Sequence, residues 1–312
     1  MVQRPPISLT DDSELDSVVN GPSLLPLPGL PYNWAWRVSV GMLLCIDIGN
    51  TTVTLGAFDG THLVTTLRVA TDTRRLADES GLLVTNLLQQ KGVDSSRIDE
   101  ISMCSVVPPL TGVFDKVCRE FFSVDPITVT VGVRTGLRIA YENPRDVGSD
   151  RIVDAVAAVE VYGPPLIVVD FGTATVFDAV SRDGAYLGGA IFPGVTVAAE
   201  SLFHSTSQLR RVELVAPKSA IGQNTTTALQ SGLVLGYAAM VTGMVQRFKE
   251  ELGQDSKVVG TGGLAGIIAQ ETAIFDHVNP DLTLIGLRLI NEMNAHRPDS
   301  SVAPIKRGVP GN

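Results

Sequence analysis

The sequence predicts an α/β protein built from two similar halves, each of them a β-sheet covered by helices. The first observation is a polar loop at 47–52 that separates two apolar, strand-like runs. The second is a copy of that loop at 170–175, with Asp, Gly and Thr at the same positions. The third is the alternation of strand-like and helix-like segments after each loop. An internal repeat of this kind indicates a duplicated domain.

The first loop has the composition of a phosphate-binding hairpin. It reads Asp47-Ile48-Gly49-Asn50-Thr51-Thr52 and lies between the apolar runs 42–46 and 53–58. Gly49 lets the backbone bend tightly and approach a ligand closely. The hydroxyl residues after it offer N–H and O–H groups to an anion. Asp-x-Gly also occurs in plain hairpins, so this loop alone does not separate phosphate binding from a structural turn.

The second copy favours phosphate binding over a structural turn. Asp170-Phe171-Gly172-Thr173-Ala174-Thr175-Val176 again follows an apolar run, at 166–169. Each copy leads through a second strand to an Asp-Gly turn, at Asp59-Gly60 and at Asp183-Gly184. Two such hairpins in two halves predict one nucleotide bound between them.

Composition narrows the class of protein. The 312 residues suffice for about two domains, and the 44% of hydrophobic residues can form a large core. A net charge of −9 argues against a nucleic-acid partner, which usually meets a basic face. Cys45, Cys104 and Cys118 lack metal-ligand spacing, which predicts reduced thiols in a cytoplasmic protein. The longest apolar tract, 232–245, is too short for a bilayer and predicts a buried helix and no membrane partner.

The two ends of the chain differ from its middle. Residues 1–41 are rich in Pro, Ser and Asp. They predict a disordered N-terminal tail, a mis-assigned start with Met42 as the first residue, or both. Trp34 and Trp36 leave a docking role open. Residues 296–312 contain three prolines and predict a flexible tail.

Between the tails the pattern predicts mixed α/β structure. Helical periodicity occurs at 76–93, 110–122, 149–162, 195–205, 225–252, after Leu264 and near 281–293. Strands are predicted at 100–107, 126–131, 136–141, 166–170, 175–181, 185–192 and 257–260. Three hairpin-linked strands followed by crossover helices, twice over, fit a pair of ribonuclease-H-like domains. We expect the first domain at 42–163 and the second at 164–295.

A further segment joins a helix start to two charged residues. Gly148-Ser149-Asp150-Arg151 can begin a helix with both charges in its first turn. A carboxylate there stabilises a helix by roughly 0.3–1 kcal/mol, so Asp150 is also explained as a helix-start residue. The helix dipole does not favour Arg151 there, which indicates another task, such as binding a substrate carboxylate. Asp146 and Asp154 compete with Asp150 for a catalytic role.

Six motifs, in this order along the chain, together resemble type III pantothenate kinases. They are the Asp47 loop, the Gly148–Arg151 segment, the Asp170 loop, and the segments 188–194, 219–225 and 261–263. The resemblance extends from residue 42 to about residue 295. Type III pantothenate kinases are members of a superfamily that includes acetate kinase, sugar kinases, heat-shock ATPases and actin. The resemblance implies two ribonuclease-H-like, actin-like ATPase domains with the nucleotide in the cleft between them.

The resemblance also implies an activity. Such an enzyme phosphorylates pantothenate to 4′-phosphopantothenate with ATP, the first step of coenzyme A biosynthesis. It uses Mg²⁺ and a monovalent cation, K⁺ or NH₄⁺, and it works as a homodimer.

Individual roles follow from the same resemblance. The ATP-binding positions are Asp47, Ile48, Gly49, Asn50, Thr51, Thr52, Val53, Thr54 and Thr173. The pantothenate positions are Tyr141, Gly148, Ser149, Asp150, Arg151 and Thr225. Asp150 matches the general base, Asp170 matches the ligand of the monovalent cation, and Thr261-Gly262-Gly263 resembles the adenosine-side motif. Val176 departs from the family pattern, which often has Thr there, and the N-terminal tail is foreign to the family.

Two other functions stay open beside this one. One is a non-catalytic transcriptional regulator on the same fold, which loss of Asp150 or of either loop would favour. The other is a different small-molecule kinase or a phosphatase of the superfamily. The segment Gly148–Arg151 resembles the pantothenate branch in particular and favours the kinase.

Overall fold

Two β-sheets frame the structure, a computed structural model that describes residues 41–295. The strands of the first sheet are Met42–Ile48 (β1), Thr52–Asp59 (β2), His62–Ala70 (β3), Ile98–Ser105 (β4) and Ile127–Thr128 (β5). Their order across the sheet is β3-β2-β1-β4-β5. The first three strands form antiparallel hairpins, and β4 and β5 extend the sheet in parallel.

The second sheet repeats the first. Its strands are Arg138–Ile139 (β6), Leu166–Phe171 (β7), Ala174–Val180 (β8), Ala185–Pro193 (β9), Lys257–Thr261 (β10) and His277–Val278 (β11). Their order is β11-β10-β7-β8-β9-β6, so β9-β8-β7-β10-β11 has the order and the strand directions of the first sheet. The duplicated α/β fold predicted from the two loops is confirmed.

Helices cover both sheets. They are Ala77–Gln90 (α1), Pro108–Phe121 (α2), Ser149–Tyr162 (α3), Val195–Ser205 (α4), Thr225–Gln230 (α5), Gly236–Leu252 (α6), Ala265–Ala269 (α7) and Leu282–Asn294 (α8). A π-helical turn, Ser231–Leu235, joins α5 to α6. The first sheet packs on α1 and α2, and the second packs on α6 and α7.

The helices α3 and α8 connect the two halves. One buried apolar cluster contains Cys45 and Cys104 from the first sheet and Val168 and Tyr186 from the second. The same cluster contains residues of α3 and α8, such as Ala155 and Leu287 of the two helices. The two sheets therefore share one core layer, and the ends of β1 and β7 lie beside the start of α3.

The predicted domain boundary near residue 163 is crossed by two elements. Strand β6 precedes it but pairs with β9 in the second sheet. Helix α8 follows it but contacts β1 and β4 of the first sheet. The division into 42–163 and 164–295 stays a prediction. The predicted tails, apart from residue 41, lie outside the described residues.

Most predicted elements have counterparts in the structure. The helices expected at 149–162 and 195–205 have those bounds. The strands expected at 126–131 and 136–141 are much shorter, at Ile127–Thr128 and Arg138–Ile139. Both are edge strands, and each pairs with a single neighbouring strand. Strand β11 was not predicted, because two residues leave no alternating pattern.

The helix predicted at 225–252 is present, but the expectation that its apolar tract 232–245 is buried is wrong. The tract belongs to a continuous helical run of 28 residues, Thr225–Leu252. Within this run the hydrogen-bond pattern is π-helical at Ser231–Leu235 and α-helical elsewhere. By length and composition alone this run could cross a membrane. Only 28% of its most apolar window is buried, so the helix buries one face on the second sheet and leaves the rest uncovered.

Candidate active site

The two predicted phosphate loops meet at their tips. Thr51 Oγ1 lies 2.8 Å from Thr173 Oγ1, within hydrogen-bond distance, and both side chains are exposed. The loops belong to different sheets, so this contact marks the mouth of a cleft between the two halves.

Hydrogen bonds hold the shape of each loop. Gly49 N–H donates to Thr52 O over 3.1 Å, and the Thr71 hydroxyl donates to Gly49 O over 2.6 Å. In the second loop Gly194 N–H donates to Thr173 O over 3.0 Å. A Cβ atom at Gly194 would lie 2.4 Å from that same oxygen, so a larger residue does not fit there.

A cavity of about 230 Å³ lies behind the loops, at the start of α3. It is lined by Asn50, Val106, Asp146, Gly148, Asp150, Arg151, Asp154, Asp170, Ala174, Val176, Asp178 and Ile191. The lining brings together five of the predicted site residues, namely Asn50, Gly148, Asp150, Arg151 and Asp170. Residues from the two halves of the chain therefore form one site.

Other predicted site residues lie outside that lining. The Ser149 hydroxyl donates to Ser105 O over 3.1 Å and accepts from Ser105 N–H over 3.2 Å, so it ties α3 to the end of β4. Tyr141 packs near Tyr186, with ring centroids 6.3 Å apart. Thr225 is exposed at the start of α5, where the preceding Asn224 caps the helix.

Asp150 lies at the start of α3, where it faces the cavity. Its Oδ1 accepts a hydrogen bond of 2.8 Å from Arg151 N–H. A Cβ atom at Gly148 would lie 2.5 Å from this oxygen, which explains the glycine two residues before the carboxylate. Burial raises the pKa of Asp150, while the Arg151 N–H and the Arg151 charge oppose that rise.

Three carboxylates near Asp150, those of Asp47, Asp154 and Asp170, also have raised pKa values. Burial raises the pKa of Asp47 to about 7, and the charge of Asp150 adds to the rise. Burial raises the pKa of Asp170 to about 7 as well, again with repulsion from Asp150. Asp154 has a pKa well above its usual range, chiefly because it is buried and then because Asp170 is near.

These carboxylates fit a site that receives cations together with a ligand. A nearby positive charge favours the ionised carboxylate and offsets both burial and repulsion. Among residues 41–295, no three His, Cys, Asp or Glu side chains converge as they do in an all-protein metal site. Mg²⁺ commonly takes one or two carboxylates and completes its shell with water and phosphate oxygens. The donor set therefore fits a magnesium ion that arrives with a nucleotide.

Two neighbours of these carboxylates were not predicted from the sequence. The Cys104 thiol donates to Asp47 Oδ1 over 3.4 Å, because strand pairing sets the two residues side by side on β4 and β1. The Thr283 hydroxyl donates to Asp154 Oδ1 over 2.6 Å from α8. Neither contact has a local sequence signal, since 57 and 129 positions separate the partners.

The most deeply buried charge at the cavity is Asp178, on β8, which was also not predicted. Its Oδ1 accepts from Arg151 Nε over 2.9 Å, from Arg151 Nη2 over 2.7 Å and from the Tyr186 hydroxyl over 2.6 Å. A signal was present, because Asp178 is the only charged residue in the apolar strand Ala174–Val180. Arg151 is thus anchored by an ion pair at the cavity wall.

The structure has two sheets of equal strand order, with paired hairpin loops at a carboxylate-lined cleft. This is the fold of actin-like ATPases and sugar kinases. A solved structure from Sinorhizobium meliloti, described as a candidate 2-dehydro-3-deoxygalactonokinase, superposes with a TM-score of 0.53. It is 12% identical, over 82% of this chain and 98% of that one. A protein of Campylobacter jejuni, described as a candidate Baf family transcriptional activator, gives a TM-score of 0.51 and 19% identity over 81% of this chain and 98% of its own. At these identities the likeness shows the fold alone.

Sequence relatives narrow the class to one family. Residues 43–247 match the type III pantothenate kinase family. A type III pantothenate kinase of Dehalococcoides mccartyi strain 195 is 45% identical over 252 residues, 81% of this chain and 98% of that protein. The enzyme of strain CBDB1 is also 45% identical over 252 residues, 81% of this chain and 96% of its own. The chain belongs to the type III pantothenate kinase family.

Proposed function

We propose that this chain transfers the γ-phosphoryl group of ATP to the primary hydroxyl of pantothenate, giving 4′-phosphopantothenate for coenzyme A biosynthesis. The observation that carries the proposal is the cavity that joins Asp150 to the ends of both phosphate loops. A non-catalytic regulator would not need a half-buried carboxylate aimed into a phosphate-binding cleft. Family membership supports the kinase as well.

Asp150 acts as the general base in this proposal. It lies in the first turn of α3, beside Arg151, and both side chains line the cavity. Phosphoryl transfer depends mainly on positioning and on charge stabilisation, and the hydroxyl proton leaves late in a loose transition state. Asp150 therefore orients the hydroxyl first and accepts its proton as the new P–O bond forms.

The loops 47–54 and 170–175 bind the phosphates from the two sheets. Asp47 holds the magnesium-bound phosphates, and Thr173 and the Thr261–Gly263 segment contact the nucleotide from the second half. Asp47 would hold Mg²⁺ at this place, and the bound ion would neutralise charge on the phosphates. The raised pKa of Asp47 supports its place beside a cation.

Asp170 binds a monovalent cation, K⁺ or NH₄⁺, at the end of β7. Burial and three neighbouring carboxylates raise its pKa to about 7, so it needs a positive partner to be ionised. Activity should be low in Tris or sodium buffer and should rise with potassium. Asp170→Asn should remove that dependence together with most of the activity. Equal rates in all these buffers would exclude a required ion.

The remaining features of the proposal concern the whole protein. We infer a cytoplasmic homodimer that has neither a nucleic-acid nor a membrane partner. The acidic net charge of −9 supports the absence of a nucleic-acid partner, and the uncovered face of α6 supports the homodimer.

A coupled assay tests the proposed function. The protein is incubated with ATP, Mg²⁺ and pantothenate, with and without potassium, and ADP release is compared with the mass of the product. We expect one phosphoryl group per pantothenate and no ADP release without pantothenate. The proposal fails if no phosphopantothenate forms under any ionic condition, and DNA binding by the same sample would then favour the regulator.

A further inference from the structure

We propose that Asp178 and Tyr186 are positioning residues that hold Arg151 ready for the carboxylate of the substrate. The proposal deepens the function proposed above, since it takes the substrate to be a hydroxy acid whose carboxylate end meets Arg151. It gives a role to an ion pair that lies at the wall of the cavity but is too deep to serve as a surface salt bridge.

The geometry fixes the guanidinium group on one edge. Nε and Nη2 of Arg151 both donate to Oδ1 of Asp178, over 2.9 and 2.7 Å. The Tyr186 hydroxyl donates to the same oxygen over 2.6 Å. The side chains of Arg151 and Asp178 are 12% and 2% exposed. Breaking a buried pair of this kind would leave an uncompensated buried charge. Turning the Arg151 side chain away from Asp178 therefore costs free energy, which holds the guanidinium group in place.

The other edge of the guanidinium group remains for a ligand. Arginine has five N–H donors, and the bonds to Asp178 use two of them. Arg151 lines the cavity, so its remaining donors lie where an anionic group can reach them. A planar guanidinium group pairs well with a carboxylate, which it can contact through two parallel N–H bonds.

Asp178 also keeps Arg151 away from competing carboxylates. Asp150, Asp154 and Asp170 line the same cavity. A guanidinium group that was free to turn would pair with one of them, which would neutralise it. Pairing with Asp150 would also occupy the proposed base. The anchor on β8 therefore separates the group that binds the carboxylate from the group that accepts the proton.

Strand β9 leaves room for this arrangement. A Cβ atom at Gly189 would lie 1.6 Å from Phe177 O and 3.2 Å from Arg151 Nη2. At Gly188, which has a φ of +120°, a Cβ atom would lie 2.8 Å from the Tyr141 ring. Gly189 is therefore required mainly by the close backbone of Phe177 and only secondarily by Arg151, whereas Gly188 leaves room for the Tyr141 ring.

The first experiment compares two substrates. Pantothenol is pantothenate with a CH₂OH group in place of the carboxylate, so it keeps the reacting hydroxyl and lacks the charge. Asp178→Asn should raise the KM for pantothenate roughly tenfold to a hundredfold and change the KM for pantothenol little. Tyr186→Phe keeps the ring and removes one hydrogen bond, so its effect should have the same direction but reach roughly twofold to tenfold. Asp183→Asn is the matched control, since it breaks an exposed pair with Arg138 at the end of the same hairpin.

The second experiment asks whether Asp178 acts through Arg151. In an Arg151→Ala background, Asp178→Asn should have no further effect on the KM for pantothenate, whereas independent effects would multiply. Thermal unfolding identifies variants that fail to fold, and Tyr186→Phe then gives the result. The inference is overturned if the ratio of the two KM values stays at its wild-type value, or if the two substitutions multiply. A wild-type protein that phosphorylates neither compound would contradict the proposed function instead.

Discussion

Asp150 differs from its neighbouring carboxylates in how it combines access with burial. Asp146 is exposed in the turn before α3, and Asp154 is 4% exposed one turn further along. Asp150 is half-buried, lines the cavity and accepts a hydrogen bond from the backbone N–H of Arg151. A base must reach its substrate and must also be able to ionise, and Asp150 meets both conditions.

The first prediction concerns the substitution Asp150→Asn. It keeps the shape of the side chain and removes the proposed base, so kcat should fall by roughly 10²–10⁴-fold. ATP binding and the melting temperature should stay near wild type, and Asp146→Asn should keep most of the wild-type kcat. Steady-state kinetics and ATP titration measure these quantities. If Asp150→Asn keeps more than about a tenth of kcat, Asp150 is a helix-start residue and not the base.

The second prediction concerns the pH dependence of kcat/KM. Burial raises the pKa of Asp150 above its ordinary value of 3.8, so the acidic limb should lie above that pH. The rate should rise with pH through this limb, because the base works in its ionised form. The charge of Arg151 lowers this pKa, so Arg151→Ala should move the limb to higher pH. Arg138→Ala, at an exposed position, serves as control, and a shift of the limb to lower pH in Arg151→Ala would contradict the assignment.

Among the elements, the hairpin loops could be predicted from sequence because their signals are local. Asp47 and Asp170 lie near the ends of β1 and β7, and Gly49 and Gly172 directly follow those strands. Helix α3 was predicted with its observed bounds, since its start residues and its periodic apolar positions lie in one continuous segment.

The rest of the site depends on contacts between distant segments. Asp178 belongs to the site because β8 sets it opposite Arg151 of α3, and Cys104 because β4 sets it beside Asp47. Such neighbours are fixed by strand register and by packing, which a single sequence does not encode in any short pattern. For the same reason, strands β5 and β6 were predicted too long and β11 was not predicted.

The third prediction concerns the contact between the two loops. Thr173→Val removes the hydroxyl that meets Thr51 and that faces the cleft. Loss of one neutral hydrogen bond should raise the KM for ATP by roughly twofold to tenfold and leave the KM for pantothenate near wild type. Thr51→Val should act in the same direction. Thr130→Val, another exposed threonine in the first half, serves as control. An unchanged KM for ATP in both loop variants would separate these hydroxyls from nucleotide binding.

At the scale of the whole molecule, the two halves share a core through α3 and α8. The apolar cluster around these helices draws residues from both sheets, whereas two other clusters belong to one sheet each. Helix α3, which presents Asp150, therefore packs in a core that contains residues of both sheets. Movement between the halves would shift the two hairpin loops relative to each other, so the shared core keeps both loops aligned with Asp150.

The last prediction concerns the assembly state. The exposed face of α6 carries Gly236, Ala239 and Gly243, whose spacing places them on one side of the helix. Small residues let a second helix approach closely, so we expect this face to be covered in a homodimer. A Cβ atom at Gly243 would meet nothing within 4 Å, so Gly243→Arg should fold normally and yet block close approach of a partner. Gly112→Arg, at an equally open and exposed position on α2, is the matched control. Analytical ultracentrifugation should show a dimer for wild type and Gly112→Arg and a monomer for Gly243→Arg. A wild-type monomer at micromolar concentration with full activity would contradict the assembly, and a dimeric Gly243→Arg would place the interface elsewhere.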